Sequence, residues 1–351
     1  MKNVIKKYLS VLFLFVLIFT LFSCDKNKNL GYSIHTEAQA NYLAGDYKQI
    51  RSYGKGVEEL SKPKSITISW KSDKKVQNYK FYLSEQEEFT NYRMFETTIS
   101  QIDLKNLKIN IKYYWYVEFV ESNVKSKVET FIINDCAPRN IDIDGVTNVR
   151  DIGGYKIGEK YTNQGLIYRS ARFNENETTT NLVTDKGIKE FVDDLGVKTE
   201  LDLRKTDNNE NGGITSSPLG ESVNYVSIPM KTGGNYMMIN EDVLKDVFSV
   251  LGDKNNYPIV IHCSIGTDRT GAICFLINGL LGVEKINLYQ DYLFSNFGNI
   301  GGNRMPSTID DYIQIINREE GNTLSEKIYN YLIKNNVEKQ DIDNLIEIMT
   351  K

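Results

Sequence analysis

The sequence predicts an α/β fold, in which a C-terminal domain with a central, mostly parallel sheet flanked by helices follows a small all-β sandwich. Three observations predict it. The chain has 351 residues, and at ~150 residues per domain that suggests two domains. Apolar and polar residues alternate between about residues 65 and 134, which is typical of half-buried strands. From about residue 140 onward, short apolar runs alternate with stretches of helical length, as in α/β domains.

The composition excludes several classes of function. The formal net charge is −4, so the chain lacks the basic excess of proteins that bind nucleic acid, and we expect no nucleic-acid partner. There are only 4 cysteines and 2 histidines, and neither a CxxC nor an HxxxH spacing occurs. We therefore expect neither a metal site nor a cofactor.

The N-terminus resembles a bacterial lipoprotein signal. Three lysines precede the apolar run Val11–Phe22, which is too short to span a ~30 Å bilayer core comfortably. The run ends in Leu-Phe-Ser-Cys at Leu21–Cys24, which resembles a lipobox. That resemblance implies removal of residues 1–23, lipidation of Cys24 and an extracytoplasmic place in the cell envelope, anchored to the membrane. An uncleaved anchor or an ordinary signal peptide is the alternative.

Residues 24–62 are interpreted as a tether followed by an unassigned segment. They are polar and contain scattered glycines, and no secondary structure is assigned to residues 30–62. His35 in this segment is interpreted as a solvated polar residue.

Residues 63–135 are predicted to form the β-sandwich. Trp70 closes an early alternating run, and a long aromatic strand follows over Tyr113–Val120. Together with Leu107, six residues before Tyr113, this pattern resembles a fibronectin type III module. The resemblance implies that Leu107 and Tyr113 form its tyrosine corner. The module is either a spacer or recognition unit or a passive stalk.

The most informative stretch of the sequence is Tyr257–Gly271. A short apolar run of the buried-strand type ends at His262, and a helical stretch begins near Thr270. The seven residues from Cys263 to Arg269 can curl so that their backbone N–H groups converge on one anion at a helix N-terminus. Those donors favour a thiolate that can attack phosphorus, and the planar guanidinium of Arg269 fits two phosphate oxygens.

The other residues of this stretch have supporting roles. Gly266 permits a backbone geometry that a side chain would block. Thr270 can donate its hydroxyl to the sulfur, and His262 is expected to tie the loop down rather than act as a base. A buried structural cysteine beside a buried histidine is the alternative. The anion-binding set is the loop itself: Ser264, Ile265, Gly266, Thr267, Asp268 and Arg269.

With these residues, the sequence resembles the cysteine-based protein tyrosine phosphatase superfamily, and most closely its bacterial branch with an Asp before the signature Arg. Four further motifs, at Asn148–Tyr155, Leu166–Ser170, Glu200–Arg204 and Asp291–Ser295, resemble that branch. The resemblance covers residues 140–351. It implies a phosphocysteine intermediate without a metal, and a phosphorylated protein or small phosphomonoester as substrate.

The leaving oxygen needs a proton, so a carboxyl group should lie near the loop. The resemblance suggests Asp268 as this general acid, and Asp202, at the end of a predicted strand, is the rival. Each has a structural alternative, as a partner of an arginine or as an anchor. Arg150 and Asp151 are expected to brace the loop.

The sequence leaves the substrate open between phosphotyrosine, phosphoinositides and inositol polyphosphates. Thr267 occupies a position where several members of the branch carry a lysine associated with phosphoinositides, so a positive charge is absent from the expected pocket mouth. The missing charge weakens the case for a phosphoinositide substrate. A third interpretation is a phospho-ligand reader without activity, against which the complete set of Cys263, Arg269 and Thr270 argues.

Overall fold

A computed structural model describes residues 30–71, 77–174 and 182–351. The predicted signal segment 1–23 and the predicted lipidation site Cys24 lie outside the described residues. Within these ranges, no helix combines the length and the apolar character needed to cross a membrane. Several sheets are combined with helices, so the predicted mixed α/β class is confirmed.

The first half of the chain is rich in strands. Its main sheet has the order β1-β8-β6-β3-β4, with β7 against β6, and a separate pair joins β2 to β5. All these pairs are antiparallel except β1 with β8. The strands are β1 (Leu30–Tyr32), β2 (Ile66–Ser69), β3 (Tyr79–Ser84), β4 (Arg93–Thr97), β5 (Gln101–Leu104), β6 (Lys112–Phe119), β7 (Val124–Lys125) and β8 (Glu129–Ile133).

The core of these sheets is aromatic. Phe81 is fully buried and stacks with Trp70 and Trp115, with ring centroids 5.8 and 5.4 Å apart. The Tyr113 hydroxyl accepts a hydrogen bond of 2.7 Å from the backbone N–H of Lys108. A tyrosine hydroxyl bonded to the backbone a few residues upstream is the arrangement of a tyrosine corner.

Residues 30–62, to which the sequence assigned no secondary structure, contain two helical elements. These are helix α1 (Glu37–Ala44), begun by a capping box of Thr36 and Gln39, and a 3₁₀ helix at Tyr47–Ser52. The buried Tyr42 contacts Phe294 and Phe297. The segment therefore packs against the C-terminal half of the chain.

The interpretation of His35 as solvated was wrong. The side chain is 2% exposed, and its Nε2 lies 3.0 Å from the carbonyl oxygen of Pro138. Burial lowers the pKa of His35, partly offset by Asp135. A single histidine in a polar segment gave no sign of this, because the groups that bury it lie about 100 residues away in the sequence.

The second half of the chain is built on a six-stranded sheet of order β15-β14-β16-β13-β10-β9. The four strands from β15 to β13 pair in parallel, and β10 and β9 complete the sheet in antiparallel fashion. A hairpin of β11 and β12 lies apart. The strands are β9 (Arg139–Asn140), β10 (Arg150–Asp151), β11 (Lys156–Ile157), β12 (Lys160–Tyr161), β13 (Ile167–Ser170), β14 (Thr199–Asp202), β15 (Asn224–Ser227) and β16 (Ile259–His262).

Helices account for most of the remaining chain. The last two, α7 and α8, separate at Asn335. The α-helices are α2 (Asp185–Lys189), α3 (Leu244–Gly252), α4 (Asp268–Leu280), α5 (Lys285–Phe294), α6 (Ser307–Ile316), α7 (Leu324–Lys334) and α8 (Lys339–Thr350); a π-helical turn covers Glu190–Asp194, and 3₁₀ turns cover Met238–Val243, Lys254–Asn256 and Ser295–Phe297.

The two halves of the chain are joined by specific hydrogen bonds. Ile109, next to the tyrosine corner, exchanges two bonds with the Gln164 amide: its N–H donates over 3.0 Å and its carbonyl accepts over 2.8 Å. The Arg139 guanidinium donates to the Asn106 carbonyl at 3.1 Å. One continuous apolar core includes buried residues from both halves.

Candidate active site

The strand, loop and helix predicted around Cys263 are present. Strand β16 ends at His262 and helix α4 begins at Asp268. We call residues 263–269 the Cys263 loop. Cys263 is 1% exposed and Arg269 is 4% exposed, so both side chains are buried. Because the loop follows β16, it lies at the C-terminal edge of the parallel strands, where ligands bind in α/β sheets.

Gly266 has the geometry that its position requires. Its φ is +68°, and a Cβ there would stand 2.1 Å from the Ser170 carbonyl oxygen. The loop therefore passes so close to the end of β13 that no side chain fits between them.

The environment of Cys263 favours the thiolate. Burial by itself would raise the pKa of the thiol, but the Arg269 charge and hydrogen bonding from the side chain and backbone of Thr270 outweigh it and hold the pKa below its ordinary value. The Thr270 hydroxyl is buried and has no other partner among the described residues. By contrast, burial raises the pKa of Cys274, one helical turn further on, to about 11.

Arg269 is held by protein acceptors. Its Nη1 donates to Glu210 Oε2 at 2.6 Å and to the Leu203 carbonyl at 3.2 Å, while Nη2 donates to Ser264 Oγ at 3.1 Å. Because these bonds fix the guanidinium plane, an arriving anion meets an oriented donor. Glu210 was not predicted from the sequence. It lies in a polar turn without periodicity, and the only available signal was that a buried arginine needs a carboxylate.

Asp268, the predicted general acid, is bound by Arg304. Arg304 Nε donates to Asp268 Oδ1 at 2.8 Å and Nη2 donates to Oδ2 at 2.9 Å. The Tyr292 hydroxyl adds a bond of 3.0 Å to Oδ1. The carboxyl group must give up one of these bonds to carry a proton, and its role as acid stays a prediction.

Asp202, the rival, is a structural anchor. It is fully buried, and it accepts 2.7 and 2.9 Å bonds from Arg204 Nη2 and the Tyr225 hydroxyl. Burial alone would raise its pKa, but His262 and Arg204 lower it below the usual range. A carboxylate stabilised in this way is a poor proton donor.

His262 is fixed by a carboxylate beneath the loop. Its Nε2 lies 2.8 Å from Glu200 Oε1, and its Nδ1 lies 3.4 Å from the Cys263 carbonyl oxygen. Ligand atoms of Glu200, Asp202 and His262 lie within 4.8 Å of one another, a grouping that could hold a metal ion. Each already has a protein partner, including the Arg204 cation at Asp202, so this set fits an ion poorly.

The loop is braced differently from the prediction. Asn148 contacts it directly, donating from Nδ2 to the Ile265 carbonyl at 3.0 Å and to Thr267 Oγ1 at 3.2 Å. Arg150 acts one step behind, donating to Asn148 Oδ1 at 2.6 Å. The prediction that Asp151 braces the loop was wrong, since its carboxylate instead accepts from Arg139 at 2.8 Å and from the backbone N–H groups of Gly153 and Gly165.

Asp291 connects this bracing to strand β13. It accepts 2.8 and 2.5 Å bonds from Arg150 and Arg169, and Arg169 also donates to the Gly266 carbonyl at 2.8 Å. Burial opposes the ionised form of Asp291, but the two arginines outweigh it and lower its pKa. Two motifs distant in the sequence thus meet behind the Cys263 loop.

Thr267 does not line the pocket mouth as expected. Its side chain is fully buried, and its hydroxyl lies between Asn148 and the Ile265 carbonyl. The residue therefore belongs to the bracing of the loop.

A family model described as the tyrosine phosphatase family matches residues 141–334, more than half of the chain. A Cupriavidus necator protein with a provisional tyrosine-protein phosphatase name is 24% identical over 186 residues, which cover 46% of this chain and 64% of that protein. A Debaryomyces hansenii protein with a provisional tyrosine-protein phosphatase name is 26% identical over 108 residues, 29% of this chain and 54% of its own. The chain thus spans less than two thirds of the length of these relatives.

Among solved structures, the core catalytic domain of the PP-IP phosphatase SIW14 from S. cerevisiae, in complex with citrate, overlaps 45% of this chain and 90% of its own. The identity is 19% and the TM-score is 0.32, too low to carry an assignment. The family model carries it: the chain belongs to the tyrosine phosphatase family, and the superfamily predicted from the Cys263 loop is confirmed.

Proposed function

We propose that the protein is a cysteine-dependent phosphatase that hydrolyses phosphomonoesters, most readily phosphotyrosine. The observation that carries the proposal is the buried Cys263, which lies in the loop that precedes helix α4. Arg269 and Thr270 stabilise its thiolate. A thiolate at the start of an anion-binding loop is a nucleophile for phosphorus.

In the first step, Cys263 Sγ forms a bond to phosphorus and the bond to the leaving oxygen breaks. Arg269 and the loop N–H groups bind the equatorial oxygens, and Asp268 gives the leaving oxygen its proton. In the second step, water attacks phosphorus while the Asp268 carboxylate takes its proton. The bond between Sγ and phosphorus breaks, Thr270 stabilises the departing thiolate, and inorganic phosphate is released.

The second candidate substrate is a phosphoinositide or an inositol polyphosphate. The burial of Thr267 argues against it, because the loop side chain that would supply a further cation is neutral and faces Asn148. We therefore place phosphotyrosine first.

We further propose that the protein belongs to the bacterial branch of the superfamily and works outside the cytoplasm. Lipidation of Cys24 would anchor it in the cell envelope, and the lipobox-like Leu21–Cys24 supports this. The β-rich segment is proposed to be fibronectin type III-like, which the hydrogen bond from the Lys108 N–H to the Tyr113 hydroxyl supports.

The test is a panel of p-nitrophenyl phosphate, phosphotyrosine peptide, phosphoinositide vesicles and inositol hexakisphosphate, with Cys263→Ser as the variant and Cys274→Ser as its matched control. Turnover should vanish in Cys263→Ser and persist in Cys274→Ser. A Cys263→Ser protein with a tenth of the wild-type rate would disprove the phosphocysteine step. Fatty-acid labelling tests the membrane anchor: the wild type should be labelled and Cys24→Ala should not.

A further inference from the structure

Arg172 lies beside the Cys263 loop and has no role in the chemistry described above. Strands β13 and β16 are parallel neighbours in which Ser170 pairs with His262, so both chains leave the sheet at the same edge. The backbone N–H of Arg172 donates to the Ser264 carbonyl at 3.4 Å. The residue therefore adjoins the loop where substrate is expected to bind.

The charge balance around the loop singles out Arg172. Arg269 pairs with Glu210 at 2.6 Å, Arg304 with Asp268 at 2.8 Å, and Arg204 with Asp202 at 2.7 Å. Across residues 30–71, 77–174 and 182–351, Arg172 makes no ion pair. Its side chain is only 7% exposed, and its Nε is buried without a hydrogen-bond partner.

A largely buried cation without a counter-charge is costly, because burial removes its hydration. No ion pair among the described residues replaces that hydration at Arg172. Burial and the nearby Arg204 lower the pKa of Arg172, while the Cys263 thiolate raises it. An anion that reaches this guanidinium would restore the balance, and charge-assisted bonds in such a setting are strong.

We propose that Arg172 binds a second negatively charged group next to the scissile phosphate, so that the preferred substrates are phosphotyrosine peptides with an anionic neighbour. This rests on the proposed phosphatase function and narrows its substrate class. The neighbour can be a carboxylate or a second phosphate, since a guanidinium binds either in a bidentate fashion.

The experiment compares kcat/KM for four phosphotyrosine peptides that differ only in the adjacent residue: Glu, phosphoserine, Ser or Lys. Hydrogen bonds to charged groups contribute about 1.5–3 kcal/mol, so we expect at least about a tenfold preference for Glu over Ser, with Lys the poorest. Arg172→Gln should bring the Glu-to-Ser ratio close to one, and Arg172→Lys should retain part of it. Arg318→Gln, which removes an exposed arginine, is the control for net charge.

Kd values for the same peptides on the Cys263→Ser protein give the ratio without turnover, so an inactive enzyme and a wrong substrate class are distinguishable. An equal loss for all four peptides in Arg172→Gln, with the ratio unchanged, would assign Arg172 a purely structural role and overturn the inference. A wild-type protein with the same kcat/KM for all four peptides would also overturn the inference. A preference for phosphoinositide bisphosphate vesicles that Arg172→Gln removes, with flat peptide ratios, would replace the peptide by a lipid.

Discussion

The side-chain amide of Asn148 donates a hydrogen bond of 3.0 Å to the carbonyl of Ile265 and thereby ties the segment just before strand β10 to the Cys263 loop. The backbone N–H of Asn148 donates in turn to Ser61 Oγ at 3.2 Å, and Glu59 accepts a bond from Thr147. The N-terminal segment is thus two hydrogen bonds away from the nucleophile's loop. The segment has no periodicity of its own, yet it takes part in positioning the site.

Asn148→Gly should separate this bracing from the backbone conformation. The φ of Asn148 is +58°, which glycine adopts without strain, so the variant removes the amide and keeps the turn. The variant loses the two bonds from Asn148 Nδ2 to the loop and the bond that Oδ1 accepts from Arg150. At about 1 kcal/mol each, the two loop bonds alone predict a fall in kcat of up to about thirtyfold, measured on p-nitrophenyl phosphate.

Asn123→Gly is the matched control, since Asn123 has a φ of +51° in an exposed turn of the β-rich half. Unchanged kcat in Asn148→Gly would show that the loop keeps its shape without this brace.

Gly266→Ala tests the close passage of the loop by β13. A Cβ at Gly266 would stand 2.1 Å from the Ser170 carbonyl oxygen, so the loop must move, and displacement of catalytic groups by about 1 Å can cost about 10²-fold in rate. Gly196→Ala provides the comparison, because Gly196 shares the φ of +68° and has no atom within 4 Å of its Cβ position.

Both variants carry the strain of a positive φ, of order 1–2 kcal/mol, and should lose similar stability from that source in urea unfolding. Only Gly266→Ala should lose activity. Equal activity in the two variants would show that the loop has room that the structure does not indicate.

The reactivity of the cysteines should follow their surroundings. Because the pKa of Cys263 is lowered, its thiolate forms at a lower pH than the thiolates of Cys136 and Cys274, and of these three cysteines it should be alkylated first as pH rises. Burial raises the pKa of Cys274 to about 11 and also raises that of Cys136. Site-resolved mass spectrometry of iodoacetamide labelling measures all three in one sample.

Thr270→Val removes the hydroxyl donor, and Thr270→Ser keeps it. Losing a group that favours the charged form moves the pKa of Cys263 upward, so the labelling midpoint should rise in the valine variant and stay in the serine variant. A midpoint that does not move would mean that Arg269 and the backbone of Thr270 stabilise the thiolate without the hydroxyl.

The sequence predicted the parts of the site that are local. Cys263, Gly266, Arg269 and Thr270 lie within eight residues, and the spacing itself defines a loop between a strand and a helix. Glu210 and Arg304 were missed, because each reaches the loop from a polar segment whose position depends on tertiary packing.

The secondary structure likewise divides into elements that the sequence predicted and elements that it did not. Alternating residues predicted strands such as β3, because burial on one face leaves a period in the sequence. Helix α1 left none, since its buried residues are Gln39 and Tyr42. Its stability comes from its cap and from contacts with Phe294 and Phe297, which only the folded chain supplies.

The general acid should be identifiable from how the rate depends on the leaving group. Asp268 precedes Arg269, and its carboxyl oxygens are held by Arg304 and Tyr292. General acid catalysis is typically worth ~10²–10⁴-fold, so Asp268→Asn should lower kcat by about that factor for phosphotyrosine, whose leaving oxygen needs a proton. The loss should be much smaller for p-nitrophenyl phosphate, whose leaving group departs without one.

Asp202→Asn is the contrast, because that carboxylate is fully buried against Arg204 and its pKa is lowered. We expect Asp202→Asn to reduce kcat equally for both leaving groups, because it disturbs the structure. The midpoint of its unfolding in urea should also be lower than that of the wild type. Arg304→Gln releases Asp268 without removing it, and it should retain the leaving-group dependence of the wild type. If Asp202→Asn shows the leaving-group dependence and Asp268→Asn does not, the proton comes from strand β14. If Asp268→Asn slows both substrates equally, Asp268 serves to hold Arg304 and the loop, and the proton comes from water.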